Sequence, residues 1–414
     1  MPATYGPMPR LVPALLRDPT FRWYFIARTS SHFGDGLIGM ALIFGSLRLG
    51  ASLTEVGLVL LVGRLPVVVF TLVGGVLGDL VSRRAVMLAA DVLRCTSQGV
   101  TAALLITGAG TLWHLAALQA VAGAANAFFA PAAAGLVVDV VPQQQRRQAN
   151  ALVNAAQNAA TLVAPVMSAV LVETVGAGVS FAVDAATFAV SAAALVALKV
   201  PDRPVAPRPA LLDAARHGWR DFRARPWLQA TTIHVAVING ACISPFLVLA
   251  PVIADQHLGG ALAWGFIANG YTIGALLGSA LALRWRPRRP LLVAVTIPVA
   301  LAPLLALLAA GAPVPILVTA AVPAGVQAGL YAVLTETARQ VHVPADLVAR
   351  ATSFSTVVGL AAVPLGMALA GPAAELIGTD VVLFAGAVIA VLSAPLALAV
   401  RSVRQLPAEP EPAH

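Results

Sequence analysis

Six ionisable side chains fall inside long apolar stretches of this 414-residue chain: Arg28, Asp35, Arg64, Asp91, Arg94 and Asp184. Facing hydrocarbon, each would cost about 3 kcal/mol. The six together would cost roughly 18 kcal/mol, more than the whole stability of a typical protein. They must therefore face one another or water. Three are cations and three are carboxylates, which suits mutual pairing, and all belong to the first half of the chain. The apolar stretches of the second half hold no charge in their interiors, only Glu336 and Asp380 at ends.

Depth sorts these residues into sets. At about 1.5 Å per helical residue, Arg28 lies two turns inside its stretch, and Asp91 and Arg94 lie about as deep in theirs. Asp35 is two further turns along at Arg28's angular position, and Arg64 reaches a similar mid-depth. This places Asp35 with Arg64 near the midplane and gathers Arg28, Asp91 and Arg94 into a second cluster. Either set could be a fixed ion pair that holds helices together. Either could also bind protons, because desolvation favours a neutral carboxyl and a neighbouring cation favours the ionised one. Asp35 is the first candidate for proton coupling, and Asp184, six residues from the far end of its stretch, is the second; Asp184 could equally pair helices. Asn126, Asn154, Gln157, Asn158, Asn239, Asn269, Tyr271, Gln327 and Tyr331 could line a central cavity or bond between helices. His32 and His234 have no second ligand at useful spacing, so no metal is assigned.

The elements that must position these residues follow from composition. The chain is 59% hydrophobic and 11% charged, with mean hydropathy +0.87. A soluble globule is normally about a quarter charged, so the solvent here is lipid. The net charge of +8 does not indicate nucleic acid, because the basic residues punctuate apolar runs instead of forming one face. A membrane-crossing helix needs about 20 apolar residues. That scale gives twelve segments, at roughly 22–48, 55–78, 85–107, 113–137, 149–172, 178–198, 228–254, 263–283, 291–311, 314–336, 351–371 and 379–400. Cys95 and Cys242 lie within such segments and read as small buried hydrophobes.

Lys and Arg set the orientation. The N-terminal arm, the loops after the even-numbered segments and the tail hold 22 of the 26, and the opposite loops hold only Arg48. Both termini are therefore expected in the cytoplasm. Trp23, Trp113, Trp227, Trp264 and Trp285 fall at or beside segment ends, and Trp219 on the central loop, as an interfacial belt would have them. The N-terminal arm has no signal-peptide cleavage pattern and reads as retained. Residues 199–226 read as a Pro-rich linker and then an amphipathic helix, with Leu212, Ala215, Trp219 and Phe222 on one face. They divide an N-terminal unit of six segments (1–198) from a C-terminal unit (227–400), followed by a disordered tail (401–414). Gly74 and Gly78 recur as Gly274 and Gly278, and Pro142 and Ala149 recur as Pro344 and Ala351, at offsets of 200 and 202. These recurrences suggest an internal duplication.

Between the second and third segments the chain reads GGVLGDLVSRR. This resembles the signature loop of the major facilitator superfamily, matched at Gly75, Asp79, Arg83 and Arg84, with Leu80 and Ser82 departing from it. FRWYFIARTSSHFGDG, ADVLR, VPQQQRRQANAL and FAVDAATFAVSAAAL are similar to the bacterial branch that includes the enterobactin exporter and the macrolide efflux proteins. In the fifth segment the antiporter motif of related drug exporters keeps Pro165, while Ala160, Ala164, Ser168 and Ala169 replace its glycines.

The resemblance implies an all-α integral membrane protein, with twelve transmembrane helices in two pseudo-symmetric six-helix bundles. It implies a monomer in the plasma or inner membrane that exports an amphiphilic small molecule, such as a drug, siderophore or secondary metabolite, by proton antiport and without a cofactor. Asp79, Arg83 and Arg84 would then lock the cytoplasmic side against the inner end of the eleventh span. A facilitator or transporter-like sensor without proton coupling is the alternative. An enzyme or ATP-driven pump is disfavoured, since Lys199, the single lysine, follows Leu198 and not the Gly of a phosphate loop.

Overall fold

The computed structural model describes residues 15–77, 82–200, 219–220, 222–285, 287–343 and 345–408, the side chains of 71–77, 345–354, 356, 357 and 360 excepted. Among the described residues there is no strand. The helices in chain order are α1 (Pro19–Arg48), α2 (Leu53–Leu77), α3 (Arg83–Ile106), α4 (Leu112–Val140), α5 (Arg146–Thr174) and α6 (Ala177–Ala197). After the central loop come α7 (Pro226–Ile238), α8 (Ser244–Ile253), α9 (Ala261–Arg284), α10 (Pro290–Thr296), α11 (Ala302–Ala309), α12 (Val314–His342), α13 (Ala345–Ile377), α14 (Thr379–Leu398) and the short α15 (Arg401–Gln405). A π-helical turn at Asn239–Ile243 carries α7 into α8, and a 3-10 turn at Ile297–Leu301 carries α10 into α11.

Nine helical spans among the described residues are long and apolar enough to cross a membrane, counting the joined pieces together. Helices α1 and α3 have the length without the hydropathy. Arg28 and Asp35 in α1, and Asp91 and Arg94 in α3, are what lower it.

The two ends of the molecule are built differently. All seven described residues with positive φ are glycines: Gly50, Gly108, Gly176, Gly259, Gly260, Gly311 and Gly378. They lie in the turns after α1, α3, α5, α8, α11 and α13, which are therefore at one end. A tight reversal needs the left-handed conformation, which glycine adopts without strain. At the other end α3 begins on an N-cap, Ser82, whose hydroxyl accepts from the Ala85 amide at 3.3 Å.

The apolar core divides along the same axis. At the glycine-turn end one cluster draws on both halves of the chain, joining Phe44, Val56 and Phe181 to Phe246, Trp264 and Met367. At the opposite end there are two clusters. One holds Phe21, Met87, Phe129, Leu136 and Leu195; the other holds Trp227, Leu228, Leu291, Val295 and Val403. The described hydrogen bonds that cross between the halves all lie at the glycine-turn end. Glu375 accepts from the Thr54 amide (2.9 Å) and hydroxyl (2.7 Å), and Glu173 accepts from the Ala261 amide (3.4 Å). Gly57 and Gly371 sit so close to the carbonyls of Met367 and Leu53 that neither site has room for a Cβ.

Two expectations change. Trp227 and Trp264 are buried in these clusters and do not face an interface, because each ring fills a gap between helix ends. The tail is ordered at first: α15 buries Val403, and the Ala408 amide donates to the Arg288 carbonyl at 3.1 Å. Residues 409–414 lie outside the described residues. So does most of the expected amphipathic helix; of it, Phe222 is buried, and its ring stacks on Trp219 at 5.8 Å.

Candidate functional site

Asp91, Arg94, Gln98 and Thr101 lie three to four residues apart on α3, so they share one face, and all are buried. Helix α6 packs against both α3 and α1 and closes over this stripe. The Arg94 guanidinium is sandwiched between the rings of Phe129 and Phe188, 4.3 Å from each centroid. It donates to Asp91 Oδ1 at 2.5 Å, to Ser31 Oγ at 2.9 Å and to Asp35 Oδ1 at 3.3 Å. Ser191 Oγ bridges Asp91 Oδ2 (2.5 Å) and the Ala27 carbonyl oxygen (2.9 Å). Arg94 thus ties α1 to α3, and α6 is bound in through Ser191 and Phe188.

This arrangement corrects the expected pairs. Asp35 meets Arg94 and not Arg64, because the long Arg94 side chain reaches both Ser31 and Asp35 on α1 while α2 packs on α4 and α13. Arg28 does not pair with Asp91. It faces Phe129, with its guanidinium carbon 5.7 Å from the ring centre.

Beside Arg94 lies a cavity of about 620 Å³. Arg28, His32, Asp35, Arg64, Arg94, Gln98, Gln119, Asn126 and Gln157 supply its polar wall, and Leu42, Leu60, Val67 and Phe129 much of its apolar wall. Asp35 is about a third exposed, at 32%, so one side of it reaches the cavity while the other holds Arg94. Gln119 donates to Gln98 at 3.0 Å, and His32 Nε2 lies 3.2 Å from Thr161 Oγ1. A smaller cavity of about 110 Å³ in the second half is lined by Asn239, Tyr271, Gln327 and Tyr331. There Asn239 donates to the Gly359 carbonyl at 3.3 Å and Tyr331 to the Thr231 carbonyl at 3.0 Å. Of the polar residues expected to line a cavity, Asn154, Asn158 and Asn269 line neither.

Asp184 is fully buried, does not line the large cavity, and has no hydrogen-bond donor at either carboxyl oxygen. It fits because its neighbour on α1 is Gly34, where a Cβ would collide with Asp184 Oδ1 and Thr187 Oγ1. Small residues also bring α5 against α1 where the antiporter motif lacks glycines. Ala164 packs on Gly36, and Ser168 donates to the Leu37 carbonyl at 2.7 Å.

Arg83 and Arg84 turn inward to their own half of the chain. Arg83 pairs with Asp139 at 2.8 Å and donates to the Gly135 carbonyl at 3.1 Å on α4. Arg84 donates to the carbonyls of Leu195 (2.6 Å) and Val196 (2.8 Å) at the C-terminal end of α6, where a cation complements the helix dipole. Neither arginine contacts α13 among the described side chains. Asp79 lies outside the described residues, and Gly75 within α2 is described by its backbone alone.

Sequence reasoning missed the aromatic clamp of Phe129 and Phe188, the serines Ser31 and Ser191, and the Gln98–Gln119 pair. One signal was present: Gln98 lies four residues beyond Arg94 and so continues its stripe.

The profile of the Major Facilitator Superfamily matches residues 24–297. A relative named multidrug efflux pump Tap from Mycolicibacterium fortuitum is 27% identical over 377 residues, covering 87% of this chain and 90% of its own. Multidrug efflux pump Tap from Mycobacterium tuberculosis (strain ATCC 25618 / H37Rv) is 25% identical over 414 residues, covering 95% and 96%. Among solved structures, the nucleoside transporter NupG superposes with TM-score 0.73 at 12% identity, covering 92% of this chain and 98% of its own. The peptide transporter POT, a mutant in complex with sulfate, superposes with TM-score 0.76 at 13% identity, covering 94% and 95%. With an all-helical fold, apolar spans of membrane length and charged residues around an internal cavity, the chain belongs to the major facilitator superfamily of multi-pass membrane transporters and is not an enzyme.

Proposed function

We propose that this transporter is a proton-coupled exporter of amphiphilic small molecules. It has twelve membrane-crossing helices in two pseudo-symmetric bundles of six, both termini on the cytoplasmic face, and works as a monomer by alternating access. The relatives named as multidrug efflux pumps support the export direction, and the skew of Lys and Arg supports the orientation. The observation that carries the reading is the large cavity with four charged residues in its wall, beside halves that share a core at one end only. In this orientation the shared core is external, so the arrangement corresponds to an inward-open state.

Asp35 is the coupling residue in this reading. It is bonded to Arg94 on one side and open to the cavity on the other, so a change of state that stretches its 3.3 Å contact frees the carboxylate to take a proton. Asp184, without a donor of its own, is the second proton site. Asp91 and Arg94 hold the helices that carry Asp35. Gly75, Asp79, Arg83 and Arg84 act in the opposite state, when the inner ends meet. Binding energy for substrate drives the proton step only through unequal affinity for the two states.

Transport of candidate compounds into inside-out vesicles under an imposed pH gradient tests the reading. Accumulation driven by an acidic lumen is expected. Exchange indifferent to the gradient would establish a facilitator instead.

A further inference from the structure

The charges around the large cavity do not balance. Arg28, Arg64 and Arg94 line it, with Asp35 as the one carboxylate in its wall. Arg94 is spent on Asp91, Asp35 and Ser31, so three guanidiniums meet two carboxylates and one positive charge is in excess. Among the described residues, Arg28 and Arg64 have no carboxylate within ion-pair distance, although Arg64 is exposed to the cavity and Arg28 is half-buried with its Nε lacking any partner. Among the described residues, the cavity of the second half supplies no counter-charge, since it is lined by amide, phenol and apolar side chains only. Guanidiniums that line a cavity within the membrane-spanning region, with one positive charge in excess, attract an anion into it. The flat guanidinium fork suits carboxylate, sulfonate or phosphate oxygens, two at a time. Leu42, Leu60, Val67 and the Phe129 ring add an apolar wall beside them.

We infer that the cavity selects organic anions, whose negative group is held by Arg28 and Arg64 while the apolar body lies along α1, α2 and α4. This rests on the exporter reading of the same cavity and names the charge of its substrate.

The test uses fluorescein and rhodamine 123, xanthene dyes of similar size and opposite charge, bound to the purified full chain in detergent and followed by fluorescence polarisation. Fluorescein should bind at least tenfold more tightly than rhodamine 123. Arg64→Gln should remove about tenfold of that affinity and Arg64→Lys should restore part of it, with rhodamine binding unweakened in both. Arg64 is exposed, so these variants fold as the parent does; Arg28→Gln is the confirming change. Equal binding of the two dyes, or no effect of Arg64→Gln on fluorescein, overturns the inference. Displacement of fluorescein by phosphatidylglycerol in mixed micelles at matching potency would assign the site to a lipid headgroup and also overturn it. Binding in detergent needs no transport. Arginine-dependent binding without uphill movement in vesicles would therefore sink the exporter reading alone, and uphill movement indifferent to Arg28 and Arg64 would sink this inference alone.

Discussion

Clamped between two aromatic rings and bonded to two carboxylates, the Arg94 guanidinium has exchanged water for fixed partners on α1, α3, α4 and α6. Asp91→Ala leaves that buried cation short of its nearest anion. It should cost about 3 to 5 kcal/mol, measured as the unfolding of purified protein in detergent. Arg64→Gln, at an exposed site without an ion pair, should change stability by no more than about 0.5 kcal/mol. Asp35→Asn mimics a permanently protonated carboxyl and should abolish gradient-driven accumulation while downhill exchange of substrate persists. If the variant still concentrates substrate, Asp35 merely positions Arg94, and Asp184→Asn becomes the next test. The charged positions are legible in the sequence because an apolar run makes any charge conspicuous. Their partners are not, since pairing depends on how each helix is rotated and on how far an arginine reaches across a neighbour. Ser31, Ser191 and Phe188 look like ordinary helix residues until α6 lies against α1 and α3.

Helix ends carry the contacts that join the halves, and they repeat. Glu173 at the end of α5 and Glu375 at the end of α13 are 202 residues apart and bond the starts of α9 and α2, respectively. Gly176 and Gly378, also 202 apart, begin α6 and α14 with φ of 98° and 97°. Carboxylates at helix N-termini complement the dipole, so the pair forms a symmetric clasp. The double change Glu173→Gln with Glu375→Gln should weaken it. A membrane-impermeant maleimide added from outside should then label Ile38→Cys, in the cavity wall, faster than it labels the same cysteine with both glutamates intact. Gly57→Leu should go further and prevent the joined end from closing, because there is no room beside the Met367 carbonyl; transport should be lost. The helices themselves are legible from apolar runs and loop prolines. The clasp is not, because Glu173 and Glu375 read alone as solvated loop-end residues. The burial of α15 escaped too, since a single apolar Val403 in a polar tail carries no periodic signal.

At the scale of the whole molecule, a shared core at one end and parted cores at the other describe a vessel with one mouth. Reporters inserted near Gly110 and Gly259 should register outside the cell, and those between Lys199 and Pro226 and after His414 should register in the cytoplasm. A central loop found outside would invert the mouth and the direction of transport together. The basic residues supply an expectation of sidedness that these reporters test, but which mouth is open leaves no trace in the sequence, because one sequence must encode both states of the proposed cycle.

The surplus of arginine in the cavity wall also makes the transporter an electrical device. An empty site with uncompensated Arg28 and Arg64 is a positive charge lodged inside the bilayer, and a bound anion cancels it. Each elementary charge carried through a 100 mV membrane potential is worth about 2.3 kcal/mol. With the cytoplasm negative, the field draws the empty site toward the inward-open state and acts far less on the loaded one. It thereby speeds the return stroke of the cycle. In the proposed antiport, an anion leaving as a proton enters would also move positive charge inward on every turn. In inside-out vesicles at a fixed pH gradient, a lumen-positive potential imposed with potassium and valinomycin should therefore accelerate fluorescein uptake, and a lumen-negative one should slow it. In a resting cell, the voltage alone would keep the empty cavity turned toward the cytoplasm, waiting for cargo.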